Sequence, residues 1–106
     1  DKVHRELLSR NINYMGQELL FETEDSPLCS PEYLEQLRKD NILSWANAIV
    51  YSYKAVLAAG HSDDTALSED MEKGWGWLAR RGFDFIQTDW PLMVKMYLEE
   101  QKLLYR

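Results

Sequence analysis

The sequence predicts an α/β fold: a small parallel sheet whose strands alternate with covering helices. Three observations predict it. Apolar runs of strand type lie near residues 15–23, 42–50 and 83–88, and stretches of helical periodicity lie before, between and after them. Strict alternation of the two patterns implies parallel strands joined by right-handed crossovers. The connection at Arg81–Gly82 is short, with a helix-ending glycine that leads straight into the last strand.

The chain has 106 residues, which suits one domain spanning 1–106 with a modest core. That is well short of the ~250 residues of an eight-unit α/β barrel. Hydrophobic residues make up 45% and charged residues 28%, an ordinary globular balance. Eighteen acidic against twelve basic side chains give a formal charge of −6. A diffuse negative surface repels phosphate backbones, so no nucleic-acid partner is expected. No apolar run approaches the ~20 residues that a spanning helix needs, so no membrane span is expected. Cys29 is the sole cysteine, which rules out an intrachain disulfide and predicts a buried or half-buried structural thiol. Asp1 to Glu6 do not resemble a signal peptide.

In chain order, Val3, Leu7 and Leu8 form a helical stripe that stops near Asn11 and Asn13, placing His4 and Arg5 on a solvated helix face. The first strand centres on Leu19, Leu20 and Phe21. Glu18 sits just before that centre, where a carboxylate needs a partner or water, and a structural ion pair is the favoured reading. Alternation puts Glu18 and Leu20 on one side, and Gln17, Leu19 and Phe21 on the other. The polar run from Glu22 to Pro27 reads as a solvated loop. Ser30 then caps a helix, Pro31 occupies its first turn, Leu34 and Leu37 form its core stripe, and Asp40–Asn41 end it.

The second strand places Trp45, Asn47 and Ile49 on one face and Ser44, Ala46 and Ala48 on the other. The small residues suit a strand against which a helix packs closely. Trp45 then points away from that helix, as core or as pocket wall, and its N–H needs a partner. Tyr51 to Gly74 is the longest irregular stretch and holds Lys54 and the run His61-Ser62-Asp63-Asp64. One His and two Asp suit a metal by residue type, but a polar turn capping the next helix is the favoured role. Trp75, Leu78 and Ala79 make that helix's face. Pro91 opens the last helix, with Met93, Met96, Tyr97 and Leu104 as its stripe.

Several of these stretches together resemble the last three units of glycerophosphodiester phosphodiesterases: Glu18-Leu-Leu-Phe, Trp45-Ala-Asn, Gly60-His-Ser-Asp-Asp, Gly74-Trp-Gly-Trp-Leu and Gln87-Thr-Asp-Trp-Pro. The resemblance covers nearly the whole chain. It implies the last three βα units of a TIM-type (β/α)8 barrel, with parallel strands and covering helices. It implies that Trp45 lines the substrate pocket and that Thr88 and Asp89 stand at the rim; Glu18, read from its strand position, is the further candidate for a polar rim residue. It further implies a parent enzyme that uses a divalent metal (Mg²⁺ or Ca²⁺) to polarise a small phosphodiester while a His transfers a proton.

The family's His-Arg and Glu-x-Asp pairs belong to earlier units, and His4–Arg5 and His61 do not stand in those motifs. The expectation is therefore that the chain holds no catalytic residue, binds no cofactor alone and is inactive alone, as a C-terminal segment of the hydrolase. Its partners would be the missing N-terminal part of the barrel or further copies of itself, because the two sheet edges and the apolar faces meant for strands one and five of the barrel would be exposed. Two other readings stand beside this one: a non-catalytic α/β module that self-associates, and an anion-binding module using the N–H groups after Pro91.

Overall fold

The computed structural model describes residues 2–10, 14–51 and 55–104; Lys54 and the helix stop at Asn11 and Asn13 lie outside the described residues. The elements run α1 (Lys2–Ser9), β1 (Gly16–Leu19), α2 (Pro31–Lys39), β2 (Leu43–Asn47), α3 (Asp63–Ser68), α4 (Trp77–Arg81), β3 (Phe85–Gln87) and α5 (Pro91–Glu100). A 3-10 turn, Pro27–Cys29, precedes α2, and a π turn, Glu72–Gly76, precedes α4. The three strands form one parallel sheet in the order β1-β2-β3, each within a stretch read as strand from the sequence. They are shorter than those stretches, although a lone bridge from Phe21 to Ala58 prolongs the line of β1.

The register sorts the side chains into two faces. Leu19, Ala46 and Ile86 form one row, and Glu18, Trp45 and Phe85 form the next. Cross-strand partners in a parallel sheet point to the same side, so these rows lie on opposite faces. The first face is finished. Leu19, Ser44, Ala46 and Ala48 are buried there with Leu34 and Leu37 of α2 and with Trp75, Leu78 and Ala79 around α4. Phe21 stacks on Phe83 at 5.5 Å, and Val94, Tyr97 and Leu98 bring α5 onto the same core. The second face is open: Leu20, Leu43 and Phe85 are 46%, 42% and 54% exposed.

Local chemistry sets the element ends. The Ser30 hydroxyl accepts from Tyr33 N, with Pro31 in the first turn of α2, as its sequence predicts. Gly82 ends α4 at φ 116°, a left-handed conformation that suits glycine, and β3 follows at once. Asp84 then locks the start of β3 to β2. Its carboxylate accepts from Ser44 N at 2.9 Å, and its own N–H donates to Ser44 O.

Two expectations are corrected here. The stretch 51–74 is not irregular throughout, because Ser62 caps α3 by accepting from Thr65 N and the π turn begins at Glu72. The apolar periodicity of α3 is too short to show in the sequence. His4 does not lie on a solvated helix face: it is 2% exposed. Its Nε2 lies 2.9 Å from Asp40 Oδ2, and its Nδ1 lies 2.9 Å from the Tyr14 hydroxyl. The ring meets Tyr14 and Tyr33 edge-on, so His4 ties α1 to the end of α2. Arg5 is exposed, so the two residues do not act as a pair. Cys29 is fully buried; its thiol contacts carbonyl oxygens of Thr23, Glu24 and Ser26, and burial pushes it above the ordinary thiol range. Among the described residues no helix is long and apolar enough to cross a membrane.

Candidate functional site

In a parallel α/β sheet, ligands are received at the carboxyl ends of the strands, where the loops depart. Here that end carries Glu18, Asn47, Gln87, Thr88 and Asp89. Two polar pairs cross the open face. Asn47 Nδ2 donates to Glu18 Oε2 at 3.1 Å, and the Trp45 indole N–H donates to Gln87 Oε1 at 3.2 Å. The Asn47 carbonyl also accepts from Ile49 N, which holds the amide's orientation. Glu18 is exposed and meets an amide, so the ion pair expected for it is replaced by a hydrogen bond to Asn47. Trp45 is half-buried and not in the covered core; its N–H is satisfied on the open side. The face thus offers an aromatic wall beside amide and carboxylate groups, which can hold a hydroxylated small molecule by packing and hydrogen bonds.

The rim is held from beneath by Asp63. This carboxylate is 3% exposed. Its Oδ1 accepts from the Trp75 indole N–H at 2.8 Å and from the Thr88 hydroxyl at 2.6 Å. Its Oδ2 accepts from Asp89 N at 2.9 Å, while Asp63 N donates to Ala48 O. Thr88 in turn accepts from Trp90 N at 2.9 Å, shaping the turn into α5. A buried carboxylate needs several donors to offset its lost hydration, and the stretches at Trp75 and at Thr88–Asp89 supply them together. Asp89 is consequently fixed by its backbone, and the residue stands exposed at the rim.

The other candidates go elsewhere. His61 stacks on Trp77 at 3.9 Å, with its ring nitrogens against Lys73 O and Glu24 Oε1. Asp63 turns inward, so His61, Asp63 and Asp64 do not converge on one ion, and the polar-turn role prevails. Among the described residues no group of three or more His, Cys, Asp or Glu side chains could hold a metal. The sequence reading did not single out Asp63 as the hub. Its signal was the spacing of a polar Asp after an N-cap serine, which looks the same whether the carboxylate faces water or a buried indole. Gln87 was visible only as part of a motif, and its role depends on register.

The fold and rim define a small parallel α/β domain with one finished face and a polar strand-end site. The chain belongs to the DUF4996 family, a domain of unknown function, whose profile matches residues 1–98. No curated protein matches the chain.

Proposed function

We propose that this chain is the C-terminal segment of a metal-dependent phosphodiester hydrolase that cleaves glycerophosphodiesters to glycerol 3-phosphate and an alcohol. In this reading β1, β2 and β3 are the last three strands of a TIM-type (β/α)8 barrel, and the open face is part of its interior. The observation that carries the reading is the contrast between the two sheet faces. One is sealed by the helices α2, α4 and α5, while the other leaves Leu20, Leu43 and Phe85 exposed beside the Trp45–Gln87 and Glu18–Asn47 pairs. An interior wall awaiting further strands has this composition.

Trp45 packs against the substrate, Gln87 holds its indole, and Thr88 and Asp89 form the rim. The metal ligands and the proton-transferring His come from upstream units, by resemblance to the glycerophosphodiester phosphodiesterases. The test supplies the chain with a separately produced polypeptide carrying the first five βα units, adds Mg²⁺ or Ca²⁺, and follows glycerol 3-phosphate release. Activity confined to the mixture and reduced by Trp45→Ala is the expected result. An inactive mixture of two folded, associated partners would overturn it.

The same exposed face and the outer edges of β1 and β3, which pair with no further strand among the described residues, favour a second reading, a non-catalytic module that self-associates. A stable homo-oligomer that excludes the upstream polypeptide is the outcome that selects it.

A further inference from the structure

A cavity of about 570 Å³ lies on the covered side of the sheet, away from Trp45, between the loop at Gly60 and the helical stretch from Thr65 to Arg81. That volume falls within the range of small-ligand sites. The charges on its wall resolve into pairs and a remainder. Glu72 accepts from Arg80 and from the Tyr97 hydroxyl, and the Arg80 contact, more than the Tyr97 one, holds the carboxyl below its ordinary range. The His61 ring lies 2.7 Å from Glu24 Oε1 and 2.6 Å from Lys73 O. Left over are Lys73, Arg81 and Glu69, with no ion pair among the described residues for either cation. The remainder is positive in a chain whose net charge is −6.

Arg81 is also held in place. Its Nε donates to Cys29 O at 2.7 Å, and its guanidinium carbon lies 5.1 Å from the centre of the Trp77 ring. Trp77 is in turn stacked on His61 with the rings 2° from parallel. An arginine fixed through Nε, by an aromatic face and beside the buried Cys29 thiol has its guanidinium fork held in a set geometry, so little side-chain freedom remains to be lost on binding. Such a fork matches the oxygens of a phosphate, and Lys73 adds a second positive charge. With Trp77 already stacked on His61 and next to Arg81, no aromatic surface is left for a base, so the ligand is compact. Glu69 provides an acceptor for a hydroxyl on the same molecule.

We infer that this cavity binds a small hydroxylated phosphate monoester through Arg81 and Lys73, at a site separate from the open sheet face. The experiment titrates the whole chain with inorganic phosphate and, separately, with acetate, following indole and guanidinium N–H resonances by NMR. Saturable shifts at Trp77 and Arg81 with phosphate, weaker with acetate, are expected. Lys73→Gln and Arg81→Lys should each weaken phosphate binding roughly tenfold, while Lys95→Gln on α5 leaves it unchanged. Lys73 is exposed, so its variant tests the site even where Arg81→Lys loosens the Cys29 contact. Non-saturating shifts, preference for acetate, or equal affinity of Lys73→Gln and the parent chain overturns the inference.

Discussion

Thr88 donates its hydroxyl to Asp63 Oδ1 at 2.6 Å, joining the strand-end rim to the start of α3 across 25 residues of sequence. The contact has two consequences. It fixes Thr88 so that the same oxygen can accept from Trp90 N, and it supplies one of the donors that a buried carboxylate requires. Thr88→Val keeps the shape and removes the donor, so it should cost about 1.5–3 kcal/mol. Asp63→Ala also strands the Trp75 N–H, and on the order of 3–5 kcal/mol is expected. Urea unfolding of both variants checks the ranking; equal, negligible losses would mean the hub does not hold the fold.

Gly74 and Gly76 differ in what an added methyl meets. At Gly74 it would lie 2.8 Å from Ser62 O and 2.9 Å from Ala66 N, both backbone atoms. At Gly76 it meets the ends of the Glu72 and Tyr97 side chains. Alanine gains ~1 kcal/mol over glycine in a helix, which does not offset a backbone clash of roughly 1–3 kcal/mol or more. Gly74→Ala should therefore be the more destabilising variant by thermal unfolding. Gly76→Ala should instead disturb the Glu72–Tyr97 contact.

That contact carries a pH dependence. Burial, followed by the hydrogen bond to Glu72, pushes the Tyr97 phenol up to about 12. The folded state thus holds the proton more tightly than the unfolded chain, whose tyrosines ionise near ~10. The Tyr97 contribution is complete below that pH and is lost as pH rises towards about 12. Ultraviolet titration should show a late phenolate that Tyr97→Phe removes. A Tyr97→Phe variant that titrates identically to the parent would contradict this assignment.

Acid acts on Asp40. Hydrogen bonds from Gln36 and then from His4 hold its carboxyl below the ordinary range. Its stabilising effect is present above the unfolded carboxylate value, near ~4, and fades as pH falls through the lower folded value. Asp40→Asn should flatten the acid limb of the stability curve measured by circular dichroism. An unchanged limb would exclude Asp40 as its source.

The open face predicts association. Phe85 is 54% exposed there, so Phe85→Glu should shift sedimentation towards monomer while leaving the unfolding midpoint nearly unchanged. A parent chain that is already monomeric at high concentration would count against the open face as a contact surface.

How much could be read beforehand depends on the range of the physics involved. The cap at Ser30, the stop at Gly82 and the parity of Ser44, Ala46 and Ala48 are local features, legible from neighbouring residues. That the strands run parallel also followed from alternation; their order β1-β2-β3 is seen only in the folded chain. His4 was misread because an apolar stripe at Val3, Leu7 and Leu8 says nothing about a carboxylate 36 residues away. Asp63 stayed hidden for the same reason: its donors, Trp75 and the Thr88–Asp89 turn, come from two distant stretches, and only the packed chain brings them together. At the site, Trp45 was legible through strand parity, whereas its partner Gln87 required the register between strands.

The π turn at Glu72–Gly76 acts as a phase adjuster. Gly76 N bonds to Met71 O, five residues back, so one residue more than an ordinary turn is spent there. Each residue of an α-helix advances the face by about 100°. The extra residue therefore lets Trp75 reach Asp63 while Leu78 and Ala79 still meet the sheet, two demands that one uninterrupted helix would set out of step. A single-residue deletion in this turn would make the helix more regular and the domain worse, since it would rotate either the indole off its carboxylate or the apolar face off its core.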